Sequence, residues 1–131
     1  MRTDELEIHS VILAEDIRQE ASGLQTLVGV LPSRLIVAAK PLVMRSLHCR
    51  IDYTTRRKVL GTHSMEITTP SGETLTKGDF EFSVEANIDG IASCSWAPVN
   101  FPVGGVYVFR FGLKDSKLEN IYSFGLTFLD Q

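Results

Sequence analysis

The chain has 131 residues, 44% of them hydrophobic and 22% charged, with a formal net charge of −3. This length fits a single domain over 1–131, and this apolar content excludes a disordered chain. Thirteen basic against sixteen acidic residues argue against a globally basic nucleic-acid binder, and ten glycines and two cysteines exclude collagen and disulfide-stapled miniproteins.

The opening Met1-Arg-Thr-Asp-Glu-Leu-Glu7 has neither the basic nor the apolar region of a secretory signal. The longest aliphatic run, Leu35 to Ala39, is far shorter than the roughly 20 residues of a membrane span. A cytoplasmic protein without membrane contact is expected, or one of the host cytoplasm or virion if a phage encodes it. Val11 to Gln19 contains helix formers, but its β-branched residues run straight into the turn at Ser22-Gly23, so a strand is favoured. Leu24 to Val30 should then pair back on it. Leu47, Cys49, Ile51 and Tyr53 line a further strand. The clearest alternation runs from Phe80 to Asp89, with Phe80, Phe82, Val84, Ala86 and Ile88 on one face and Glu81, Ser83, Glu85, Asn87 and Asp89 on the other. Tyr107-Phe109-Phe111-Leu113 and Tyr122-Phe124-Leu126-Phe128 repeat it, joined as a hairpin around Lys114 to Lys117. Turn signals about every ten residues predict an all-β, two-sheet antiparallel sandwich, immunoglobulin-like or C2-like, with eight to ten strands. Ten of the eleven aromatic residues follow position 79, so the C-terminal half anchors the core.

The sequence offers little that carries chemistry. No nucleophile elbow, P-loop or dinucleotide fingerprint occurs. His9, His48 and His63 read as edge or loop histidines. His48 and Cys49 point to opposite faces of a strand, so no metal site is expected. Cys49 and Cys94 are expected as reduced, buried thiols. Glu81 and Glu85 share an outer strand face, as Asp4 and Glu5 sit together near the start. Such exposed carboxylates suit a solvated face better than general acid–base work. Asp79, Asp89 and Asp115 fall at separate turns, which argues against calcium. Neither a catalytic residue nor a cofactor is expected, and the protein is read as no enzyme.

Two segments stand out as candidate binding surfaces. Residues 40–58 hold Lys40, Arg45, Arg50, Arg56, Arg57 and Lys58 against Asp52 alone. Arg56, Arg57 and Lys58 fall in a loop and could meet phosphate or an acidic protein surface. The segment from Trp96 to Gly105 carries the sole tryptophan, two prolines and Phe101. It reads as a rigid aromatic loop of the kind that makes binding hot spots, or as a plug for one end of the sandwich.

Leu13-Ala-Glu-Asp-Ile-Arg-Gln-Glu20, the turn at Gly23 and Leu27-Val-Gly-Val30 resemble the opening of an uncharacterised family of small bacterial and phage-associated β-sandwich proteins. Phe101-Pro-Val-Gly-Gly-Val-Tyr-Val-Phe109 resembles that family's approach to a late strand. Gly105-Val-Tyr107 with Phe109 also looks like a tyrosine corner in which Phe replaces cysteine. The resemblance implies an immunoglobulin-like or C2-like sandwich and no known activity, with Asp16, Arg18 and Glu20 as a charge network beside the first turn. The leading expectation is a non-enzymatic protein-interaction module, such as a phage or mobile-element inhibitor of a host protein or a small virion structural protein. It would use Trp96 and Phe101, or the basic segment. The alternative is a small-molecule or nucleotide-binding protein with phosphate held in the segment 45–58. Free edge strands also allow a homo-oligomer.

Overall fold

Period-two alternation resolves into eleven strands among residues 5–130, the part of the chain that the computed structural model describes. They are β1 (Leu6–Gln19), β2 (Gln25–Val30), β3 (Arg34–Ala39), β4 (Leu42–Met44), β5 (Leu47–Thr55), β6 (Val59–Thr68), β7 (Thr74–Val84), β8 (Asp89–Trp96), β9 (Val99–Phe101), β10 (Gly105–Leu113) and β11 (Glu119–Asp130). No described residue is helical, so the fold is all-β, and Val11 to Gln19 is strand throughout. The count passes the expected ten because β4 and β9, three residues each, pair as a separate ribbon.

One sheet has the order β2-β1-β5-β8, the other β3-β11-β10-β6-β7. The chain crosses directly between them after β2, after β5 and after β7, and at the first and last of these an edge strand of one sheet leads to an edge strand of the other. All ladders are antiparallel except β3 on β11, which is parallel, with Leu126 opposite Leu35 and Phe128 opposite Val37. The expected two-sheet antiparallel sandwich is thus the architecture found, with this one parallel ladder at the edge of the second sheet. The parallel pair follows from the crossover, which brings the chain back into the second sheet along the direction of its final strand.

The inner faces enclose one core. The first sheet contributes aliphatic side chains such as Leu6, Ile8, Leu13 and Ile51; the second contributes Phe82, Phe109, Phe111, Phe124 and Phe128. The uneven placement of aromatics along the sequence is thus a division of labour between layers. Tyr107 donates its hydroxyl to the Val103 carbonyl at 2.6 Å and accepts from the Val103 N–H at 3.3 Å. This is the back-bond by which a tyrosine corner fixes the chain before a strand.

The expected strand from Phe80 to Asp89 is shorter than its alternation. It ends at Val84, and Asn87 takes a left-handed φ of 59° in the turn to β8. Ala86 and Ile88 are exposed in that turn instead of continuing the buried face. Glu85 lies beyond the strand as well, so it does not share a strand face with Glu81.

Candidate functional site

A cleft of about 780 Å³ opens on the side of the sandwich where β2 leads into β3. β1 supplies Glu15, Asp16 and Arg18; β2 supplies Val28 to Val30; β4 and the residues after it supply Leu42 to Ser46. Leu31, Leu35, Leu42 and Met44 give it an apolar lining continuous with the core. Val30 and Val43 stand exposed on its walls. Arg18 donates from Nε to Asp16 at 3.2 Å, and His48 Nε2 lies 3.8 Å from the other Asp16 oxygen. Arg45 is exposed on the rim and has no ion-pair partner among the described residues.

The sequence builds this wall through Gly29. Its φ of +65° lies in the left-handed region, and a Cβ placed there would come within 2.7 Å of the Glu15 carboxyl carbon. Glycine therefore lets Glu15 lie flat against β2, and the β1–β2 register runs unbroken past that point, pairing Ala14 with Val30 and Asp16 with Val28. Ser46 donates to the Glu15 carbonyl at 2.6 Å and ties the far rim to β1. Of the three charged residues in the first resemblance, Asp16 and Arg18 form a pair on this rim. Glu20 stands apart and accepts from Thr26 at 2.8 Å.

The residues singled out from the sequence lie elsewhere and fall into two groups. Phe101 is wholly buried and meets Tyr107 edge-on, with ring centroids 4.9 Å apart. Trp96 is 8% exposed and packs on the edge of Phe109. Both rings therefore close the end of the core and present no face to a partner, and the segment that carries them is the strand end of β8 and the strand β9, not an irregular loop. Arg56, Arg57 and Lys58 do lie exposed in the β5–β6 loop. Lys58 stands 3.6 Å from Glu85 and Arg57 4.0 Å from Glu5, so each has a neighbouring carboxylate.

His63 corrects the reading of edge or loop histidines. It is fully buried, stacked on Phe111, with Nδ1 3.0 Å from the Gly61 carbonyl and Nε2 2.9 Å from Glu5 Oε2. The partner Asp4 of the expected carboxylate pair lies outside the described residues. Asp79 sits within β7, not at a turn. Hydrogen bonds from Ser64 and Lys114 hold its carboxyl below the ordinary range. Cys49 and Cys94 are free thiols placed directly opposite each other on β5 and β8. Burial pushes Cys49 up to about 12 and Cys94 up to about 11. Among the described residues, no three His, Cys, Asp or Glu side chains converge as metal ligands. No described helix is long and apolar enough to cross a membrane.

The cleft escaped sequence reading because its walls come from three separated strands. The one local signal was Leu27-Val-Gly-Val30, whose glycine interrupts an otherwise β-branched strand.

The strand order and the layered core define a β-sandwich protein. No family model and no curated protein matches the chain. Solved structures do match, among them the crystal structure of the C-terminal domain of wzt, with a TM-score of 0.51 at 13% identity, covering 96% of this chain and 80% of that one. That likeness is one of fold.

Proposed function

We propose that this β-sandwich is a non-enzymatic protein-interaction module whose binding surface is the cleft beside β2. The observation that carries the reading is the combination of exposed Val30 and Val43, an apolar lining beneath them and Arg45 without an ion-pair partner among the described residues. Contiguous exposed apolar surface with a few placed polar groups is what ligand and peptide sites share. The occupant is a partner's peptide segment that inserts an apolar side chain between the two valines and sets a carboxylate on Arg45. Arg45 belongs to the basic stretch 45–58, so the acidic character expected of the partner is kept while the contact moves from the loop to the cleft. The engaged state of His63, whose two ring nitrogens already face Gly61 and Glu5, favours a non-catalytic reading of the interior.

A displayed library of random linear peptides tests this directly. Selection on the wild-type chain should enrich peptides with an apolar residue beside Asp or Glu. Binding should fall at least tenfold on Val43→Asp and on Arg45→Glu, with the thermal transition unchanged. Peptides that bind both variants as well as wild type would place the interaction elsewhere, and no enrichment at all would overturn the module reading.

A further inference from the structure

His63 is fully buried among the rings of Phe80, Phe82 and Phe111, yet both of its nitrogens are engaged. Nδ1 lies 3.0 Å from the Gly61 carbonyl and Nε2 lies 2.9 Å from Glu5 Oε2. A carbonyl and an ionised carboxylate only accept, so the two contacts together need two hydrogens. Imidazole is ordinarily the stronger base of the pair, which puts both on the ring. A neutral ring carries one. With that hydrogen on Nδ1, the Nε2 lone pair faces the carboxylate; with it on Nε2, the Nδ1 lone pair faces the carbonyl. Loss of a proton therefore turns one of the two contacts repulsive, whichever tautomer forms.

The Glu5 contact joins the two layers. Glu5 stands immediately before β1 of the first sheet, and His63 lies on β6 of the second. The carboxylate has a second partner within reach, because its other oxygen, Oε1, is 4.0 Å from Arg57 in the β5–β6 loop. Glu5, Arg57, Lys117 and Glu119 line one small cleft of about 110 Å³, so solvent reaches the carboxylate although it does not reach the ring. The charges carried beside His63 on the neighbouring strand lie on the other face of the sheet. There Thr62 meets Glu81, and Ser64 meets Asp79, which also binds Lys114. We propose that Glu5 is a pH-operated latch between the sheets: its carboxylate holds His63 while the ring carries two hydrogens and turns to Arg57 when the ring loses one. Histidine is the side chain whose charge ordinarily changes between about pH 5 and 8, so the latch is closed on the acid side and released as the pH rises. The Arg56 N–H donates to the Glu5 carbonyl at 2.9 Å at the start of β1, and this bond reports the state of the latch. None of these residues lines the cleft assigned to peptide binding, so the device and that surface are tested separately.

Two NMR measurements on the intact chain, from about pH 5 to pH 8, test the latch. The ¹⁵N shifts of the His63 ring should pass from two protonated nitrogens to one. Over the same range the protection of the Arg56 amide against hydrogen exchange, corrected for its intrinsic rate, should fall at least tenfold. That of Leu31, which bonds the Leu13 carbonyl farther along β1, should not change. Glu5→Gln keeps the contact on both sides of the titration, since its amide oxygen accepts from the charged ring and its amide nitrogen donates to the neutral one, and the Arg56 protection of that variant should stay level. Arg57→Gln removes the alternative partner, and its ring should keep the second hydrogen to higher pH. A ring that stays in one protonation state across the range would overturn the proposal. So would a ring that titrates without change at Arg56, a fall in Glu5→Gln equal to that in wild type, or an Arg57→Gln ring that titrates as wild type does.

Discussion

Glu5 and His63 meet inside the sandwich, with Nε2 2.9 Å from the Glu5 carboxylate, although 58 residues separate them in sequence. The Gly61 carbonyl can only accept, so Nδ1 is the donor there, and the 2.9 Å contact between Nε2 and Glu5 needs a hydrogen of its own. The ring is enclosed by Phe80, Phe82 and Phe111, which offer no alternative partner. Glu5→Ala should therefore leave a buried polar atom unsatisfied and lower stability by about 1–3 kcal/mol. Urea denaturation reads this out; a midpoint equal to wild type would show that the contact contributes nothing.

The thiols give the chain an alkaline limit. Burial raises both folded-state values above the ordinary 9.0, Cys49 to about 12 and Cys94 to about 11. For a group raised in the folded state, the contribution to stability is complete below the unfolded value and is lost as the pH climbs from there through the folded one. Stability measured from neutrality to pH 11 should thus hold to about pH 9 and then fall, and Cys49→Ala should flatten the fall. At pH 8, iodoacetamide should label neither thiol readily in the native chain and both after unfolding, as judged by intact mass.

Gly29 holds a backbone shape that other residues resist. Gly29→Ala keeps a left-handed φ and places a methyl group against Glu15. The expected loss is about 1–2 kcal/mol from the backbone alone, since the Glu15 side chain can swing away. That swing should also show as a change in peptide binding at the cleft, which a purely structural loss would not produce.

Truncation separates the two segments first singled out by sequence. Phe101→Ala removes a wholly buried ring and should cost on the order of 3–5 kcal/mol. Arg56→Ala with Arg57→Ala changes exposed loop positions and should stay within about 0.5 kcal/mol per substitution. Thermal unfolding of the two variants side by side distinguishes a core plug from a surface loop.

How far the sequence could be read depended on the length of each regular run. β5, β10 and β11 were legible because four or more alternating residues outvote any single exception, as with Leu47 to Tyr53. The β1–β2 hairpin was legible from its Gly turn. β4 and β9 were not, since three residues beside Pro41 and Pro98 carry no period. The end of β7 was overestimated because Ala86 and Ile88 keep the parity of the strand while the backbone at Asn87 has already turned. In the site, Trp96 and Phe101 drew attention by residue type, yet large aromatics in a small sandwich are more valuable to its core than to its surface. His63 could not be placed from sequence because its partner, Glu5, lies 58 residues away along the chain. The cleft could not be read for the same reason on a larger scale, since Arg18, Val30 and Met44 meet only through tertiary structure.

The position of β11 has a bearing on how the molecule is made. It lies between β3 and β10, so the second sheet is held in two parts until the final strand arrives. During synthesis a chain that has emerged only as far as Leu118 carries β3 without a ladder of its own and β10 paired on one side alone. Local order can form in the β1–β2 hairpin, but the aromatic layer waits for Phe124 and Phe128. Closure of long-range ladders is the slow part of folding in such topologies. The aliphatic β3 stays open to other chains for the whole of that interval, so the time between the appearance of β3 and that of β11 bears on how the second sheet comes to be paired.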